Sequence, residues 1–152
     1  MNIIKLEIVP IEDDGYHIFI VATINGKKAR LLIDTGASRT VFDAERIKAF
    51  LPRDNHNFEK IDKLSTGLGT NTMESHSVVL EEFRLGETTF IDYIAVVLNM
   101  EHVNRSYVML GHPPIDGVLG GDLLHKLKAV IDYRKKEVRW RDGIISKTSD
   151  PM

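Results

Sequence analysis

The chain has 152 residues, 43% hydrophobic and 28% charged, with a net charge of −2. That fits one domain with an ordinary core and leaves no electrostatic case for a nucleic-acid or anionic-membrane partner. The absence of cysteine excludes disulfides, thiolate nucleophiles and Cys-ligated zinc.

Residues 4–11 alternate, with Ile4, Leu6 and Ile8 on one face and Lys5 and Glu7 on the other, which predicts one half-buried strand. Asp13-Asp14-Gly15 is a turn. Residues 16–24 form a second strand rich in β-branched and aromatic side chains. Asn25-Gly26 is a hairpin signal, since both residues tolerate positive φ. Residues 28–33 are the returning strand, wholly apolar at Leu31-Leu32-Ile33 just before Asp34.

Residues 40–42 are a short strand. Asp43-Ala44-Glu45-Arg46 opens a helix, with Asp43 as N-cap, Ile47, Phe50 and Leu51 on one side, and Pro52 as the stop. Residues 53–60 read as a polar loop. The centre of residues 61–77, Ser65-Thr66-Gly67-Leu68-Gly69-Thr70-Asn71-Thr72, has little to bury and predicts a projecting hairpin or loop. Residues 78–85 and 88–98 pair about Gly86, and 99–116 read as an irregular connection with Pro113-Pro114 near its end. Ile115-Asp116-Gly117-Val118-Leu119-Gly120-Gly121-Asp122-Leu123-Leu124 is a short apolar strand, a glycine pair and about two turns of helix. Residues 129–133 and 137–140 form the last hairpin, and 142–152 a polar tail. The sum is mainly β, about nine strands and two short helices in a single domain over residues 1–141.

The chemistry centres on Leu31-Leu32-Ile33-Asp34-Thr35-Gly36-Ala37-Ser38. A carboxylate at the end of a buried strand is costly to keep charged, which makes Asp34 a functional candidate. Two carboxylates sharing one proton can activate a water, one as base and the other polarising a carbonyl. Gly36 lets the chain turn away and its amide approach the carboxylate, Thr35 supplies a hydroxyl, and Ala37 and Ser38 avoid crowding. The plainer alternative makes Asp34 a turn-capping acid or a partner of Arg39. Asp116, Asp122 and Asp132 read as structural, Asp122 in the first turn of its helix and Asp132 at a strand end. The six histidines lack metal-site spacing, and no glycine pattern completes a dinucleotide or phosphate loop. No cofactor and no metal are expected.

This stretch resembles the active-site motif of aspartic proteases, and residues 115–124 are similar to that family's second signature. The likeness is nearest to the single-domain, retropepsin-like branch, including its bacterial members. It implies a closed acid-protease β-barrel with one or two short helices. Asp34 would be catalytic and Thr35, Gly36, Ala37 and Ser38 would form its loop. Val118, Leu119 and Gly120 would cross beneath that loop, and Gly67, Leu68, Gly69 and Thr70 would be the flap over an extended peptide.

The single Asp-Thr-Gly implies a homodimer that brings two Asp34 side chains together, with Thr35 hydroxyls bonding across the axis. Residues 1–8 and 138–145 are the candidate dimer strands. The implied function is an aspartic endopeptidase. The alternative is a non-catalytic module of the same fold that binds a peptide or dimerises. The implied partners are a peptide or protein substrate and a second copy of the chain, with no nucleic acid and no membrane. Residues 1–5 lack the apolar run of a signal peptide and no segment is long enough to span a bilayer, so the expected location leans to the cytoplasm.

Overall fold

The computed structural model describes residues 1–55, 58–60 and 75–141. The predicted flap residues Gly67, Leu68, Gly69 and Thr70 and the tail 142–152 lie outside them. The strands are β1 (Asn2–Lys5), β2 (Glu7–Ile11), β3 (Gly15–Ile24), β4 (Lys27–Ile33), β5 (Val41–Asp43), β6 (Glu59–Lys60), β7 (Ser75–Leu85), β8 (Thr88–Leu98), β9 (Gly117–Leu119), β10 (Val130–Asp132) and β11 (Glu137–Trp140). The α-helices are α1 (Glu101–Met109) and α2 (Gly121–Leu127).

The closed barrel that the resemblance implies is present. Its strands follow the order β3-β4-β9-β5-β8-β7, and β7 pairs back onto β3 through Thr23↔Arg84 and Ile24↔Phe83. Asn25 seals that seam. It sits at φ 50 beside Gly26 at φ 85, the positive values that a tight two-residue hairpin demands. Its amide donates to the Glu82 carbonyl at 2.8 Å. Its Oδ1 accepts the Glu82 amide at 3.0 Å, and its Nδ2 donates to the Phe50 carbonyl at 2.9 Å.

Barrel-facing side chains alternate along β3, as Ile18, Ile20, Ala22 and Ile24, whereas β9 is buried throughout. Phe83 lies at the centre of the core. It meets Phe42 edge-on at 5.4 Å, stacks on Phe90 at 5.9 Å and tilts against Tyr93 at 5.1 Å. A smaller cluster of Phe19, Met100, Tyr107, Ile115 and Val118 lies apart from this core, with Leu32, Ala37 and Val41 packed against it.

Several sequence expectations change: the described residues hold eleven strands where about nine were expected, and the loop expected at 53–60 contains a 3-10 turn, Arg53–Asn55, and β6. Residues 4–11 are two strands, because the chain switches sheets at Leu6: β1 joins β11 and β10, while β2 edges the barrel on β3. Leu6 is buried and its amide donates to the Lys136 carbonyl at 2.9 Å, so the alternation runs through the switch unbroken. The helix after Asp43 is a 3-10 helix, Arg46–Phe50, whose N-cap is Glu45 and not Asp43; Asp43 ends β5, and its carboxylate accepts the Arg46 amide at 2.9 Å from there. Pro52 forces Leu51 into extended backbone and leaves no room for a full α-turn.

The connection at 99–116 contains α1, which buries only Tyr107 along its length and so shows no apolar stripe in sequence. It is pinned by Asn104, whose side chain accepts the Ile115 amide at 2.8 Å and donates to its carbonyl at 3.0 Å. The terminal strands β1 and β11 pair within one chain, in a three-stranded sheet with β10.

Candidate active site

The site is built where β4 ends. β9 runs parallel to β4, with Leu31↔Gly117, Leu32↔Val118 and Ile33↔Leu119, and antiparallel to β5 on its other side. Three apolar residues therefore carry the chain through the core and release it at Asp34, whose amide donates to the Leu119 carbonyl at 3.0 Å. The side chain of Asp34 is exposed in the single chain, as are Thr35, Gly36 and Ser38. The acid stands just beyond the buried strand and is not sealed within it.

The loop then folds back on itself. The Gly36 amide donates to Asp34 Oδ1 at 2.9 Å, and the Ala37 amide to the Asp34 carbonyl at 3.1 Å. Leu119 and Val118 are buried, one in each hydrophobic cluster, so the strand beside the loop is anchored on both faces. Thr35 makes no side-chain hydrogen bond among the described residues. Asp34 and Arg39 form no ion pair among them.

A clamp that the sequence did not disclose holds the far side of the loop. The Gly121 amide donates to the Ala37 carbonyl at 2.7 Å. Thr40, 1% exposed, donates its hydroxyl to Asp122 Oδ1 at 2.7 Å and accepts the Gly120 amide at 3.0 Å. Asp122 Oδ1 also takes the Thr40 amide at 2.9 Å and the Leu123 amide at 2.8 Å. Asp122 thus does sit in the first turn of α2, as read from sequence, but it also reaches across to the Asp34 loop. A β-carbon on Gly120 would lie 2.6 Å from the Arg39 carbonyl oxygen and 2.9 Å from that of Ala37, so only glycine permits this approach.

Two buried carboxylates brace the strands behind the loop. Asp116 accepts the Arg30 amide and the Arg46 guanidinium, both at 2.8 Å. Asp43 accepts the Met100 amide at 2.8 Å as well as that of Arg46. Tyr107 of α1 packs edge-on to Phe19 and lies 2.8 Å from His17 Nδ1. Burial pushes its hydroxyl up, Arg30 opposes this, and the negative charge of Asp34 adds to it. Burial likewise pushes the Tyr93 hydroxyl far up, with Asp122 adding to the rise and Arg39 opposing it. Among the described residues no group of three or more His, Asp or Glu is placed to hold a metal ion. An exposed carboxylate fixed by a backbone amide can act on a proton, or pair with a second carboxylate brought to it.

A family model described as aspartyl protease matches residues 20–123, from within β3 into α2. Among curated protein sequences none matches. A retropepsin-like aspartic protease from Rickettsia conorii is similar in structure, with a TM-score of 0.53, 22% identity and coverage of 89% of this chain and 89% of that one. The retroviral protease-like domain of Ddi1 from Leishmania major is also similar, with a TM-score of 0.55, 14% identity and coverage of 82% and 87%. At these identities the structural likeness speaks for the fold, and the family match spans well over half of the sequence. The chain belongs to the aspartyl protease family, and its barrel is of the retropepsin-like kind.

Proposed function

We propose that this protein is an aspartic endopeptidase that works as a homodimer. The observation that carries the reading is the exposed Asp34, held by the Gly36 amide at the end of a buried strand, in a chain with a single Asp-Thr-Gly. Two such loops facing each other would supply the two carboxylates that the chemistry needs. Like charges so close cannot both ionise, so the pair keeps one proton. The ionised Asp34 takes a proton from the water as it attacks the peptide carbonyl, and the protonated one donates to the carbonyl oxygen. Collapse of the tetrahedral adduct returns a proton to the leaving amine. Residues 67–70 are proposed to cover an extended peptide held by strand-like main-chain pairing.

The test is a digest of a diverse peptide library by wild type and by Asp34→Asn. Cleavage by wild type alone is expected. A wild type inert at every pH while still binding peptides would favour the binding module, and equal cleavage by both proteins would remove Asp34 from the mechanism. Ala37 stands where a serine hydroxyl in many pepsin-like enzymes stabilises the charged form. The pH–rate profile is therefore expected to peak between mildly acidic and neutral pH, and a maximum near about pH 3 would count against this pairing.

A further inference from the structure

Arg39 is an exposed cation beside the proposed catalytic loop, and its side chain has no hydrogen bond or ion pair among the described residues. Its main chain is fixed on both sides. Ala37 is bound by the Gly121 amide, Thr40 by Asp122, and the Arg39 carbonyl packs on Gly120. The guanidinium therefore springs from a rigid point five residues past Asp34 and two past the end of its turn. Tyr93 is on β8, which runs parallel to β5 with Val41 opposite Val96, so the chain just before Val41 passes near it. Tyr93 is 4% exposed, and its ring packs against Phe83 and Phe90. The charges of Arg39 and Asp122 both act on its hydroxyl, and no hydrogen-bond partner takes it among the described residues. That hydroxyl is not sealed, since the only sealed side-chain polar atom without a partner among those residues is Arg30 Nε. Asp122 makes no ion pair with Arg39 among the described residues; its Oδ1 is taken by three donors of the loop and of α2.

We propose that Arg39, with the Tyr93 hydroxyl beside it, is a specificity subsite for a carboxylate side chain of the bound polypeptide, so that the substrate carries Glu or Asp near the scissile bond. This rests on Asp34 marking the point of cleavage. Arg39 shares its loop with Asp34, which puts the acidic residue within a few positions of the cut. A planar guanidinium takes a carboxylate through paired hydrogen bonds, and a neutral tyrosine adds a third donor. In a homodimer each chain supplies one Arg39, so acidic residues are favoured on both sides of the bond.

The test uses decapeptide sets that differ only by Glu, Gln or Lys at one position. Cleavage is measured for wild type, Arg39→Gln, Arg39→Glu and Tyr93→Phe. Binding of the same peptides, fluorescein-labelled, is measured on Asp34→Asn with and without Arg39→Glu. A preference for Glu of about tenfold or more at one position is expected, the scale of one charge-assisted hydrogen bond. It should appear in KM, vanish in Arg39→Gln, turn toward Lys-bearing peptides in Arg39→Glu and shrink in Tyr93→Phe. Equal handling of Glu and Gln by wild type, or a preference that survives Arg39→Glu, overturns the subsite. Acid-selective binding that needs Arg39, without cleavage, would sink the catalytic reading and leave the subsite standing. Cleavage without acid preference would do the reverse, and neither binding nor cleavage would overturn both.

Discussion

Thr40 joins the Asp34 loop to the start of α2 through one hydroxyl, as acceptor of the Gly120 amide and donor to Asp122. Thr40→Val keeps the shape and strands a buried N–H, which costs about 1–3 kcal/mol. Its melting temperature should fall by several degrees, whereas Thr40→Ser should stay near wild type. Gly120→Ala drives a methyl into two carbonyl oxygens, a clash worth about 1–3 kcal/mol. Peptidase activity should fall further than the melting temperature, because the atoms that must move belong to the Asp34 loop. Asp34-Thr35-Gly36 was legible because an acid after three apolar residues breaks the logic of a strand. Thr40 was not, because threonine in a strand is ordinary and its partner is 82 positions away in sequence.

At the scale of elements, hairpins were the readable part. Asn25-Gly26, the turn at Gly86 and the turn at 134–136 each connect the strands that the alternation predicted. The elements that escaped are those whose stability comes from elsewhere. α1 is fastened by Asn104 and Tyr107, and the break between β1 and β2 is set by which sheet each half joins. The Asn25 turn allows a clean test. Asn25→Gly keeps the backbone angle, removes the side-chain bonds to Glu82 and Phe50 and loosens the unfolded chain, so a loss of about 1–3 kcal/mol in denaturant unfolding would set an upper bound on the side chain's share of barrel closure. In the last hairpin, the Lys135 amide and then Arg139 hold the Asp132 carboxyl below the usual range. A carboxyl that titrates lower folded than unfolded stabilises fully above the unfolded value of about 4, and that share fades as pH falls through the folded value. Asp132→Asn should therefore melt earlier than wild type at neutral pH and converge with it in strong acid.

For the molecule as a whole, the proposed site is complete only when two chains meet. Specific activity should fall on dilution as sedimentation reports more monomer, and excess Asp34→Asn chain should suppress wild type by forming mixed pairs. Activity that persists in a protein sedimenting as monomer at every concentration would refute the paired site. Where two chains would meet was not readable from sequence, because β1 and β11 satisfy each other within one chain and their patterns name no outside partner.

β9 also governs when the proposed activity can first exist. The Asp34 loop hangs on a strand and a helix start lying some 80 residues further along the chain, as Thr40 and Gly120 do. During synthesis the acid emerges early and without its frame, and pairing so distant in sequence forms late and slowly. A nascent or truncated chain that stops short of Gly120 carries the Asp-Thr-Gly but cannot hold it in shape. The topology delays the assembled loop until β9 and the start of α2 have been made, which would keep a hydrolase from acting while it is still tethered among other unfinished proteins.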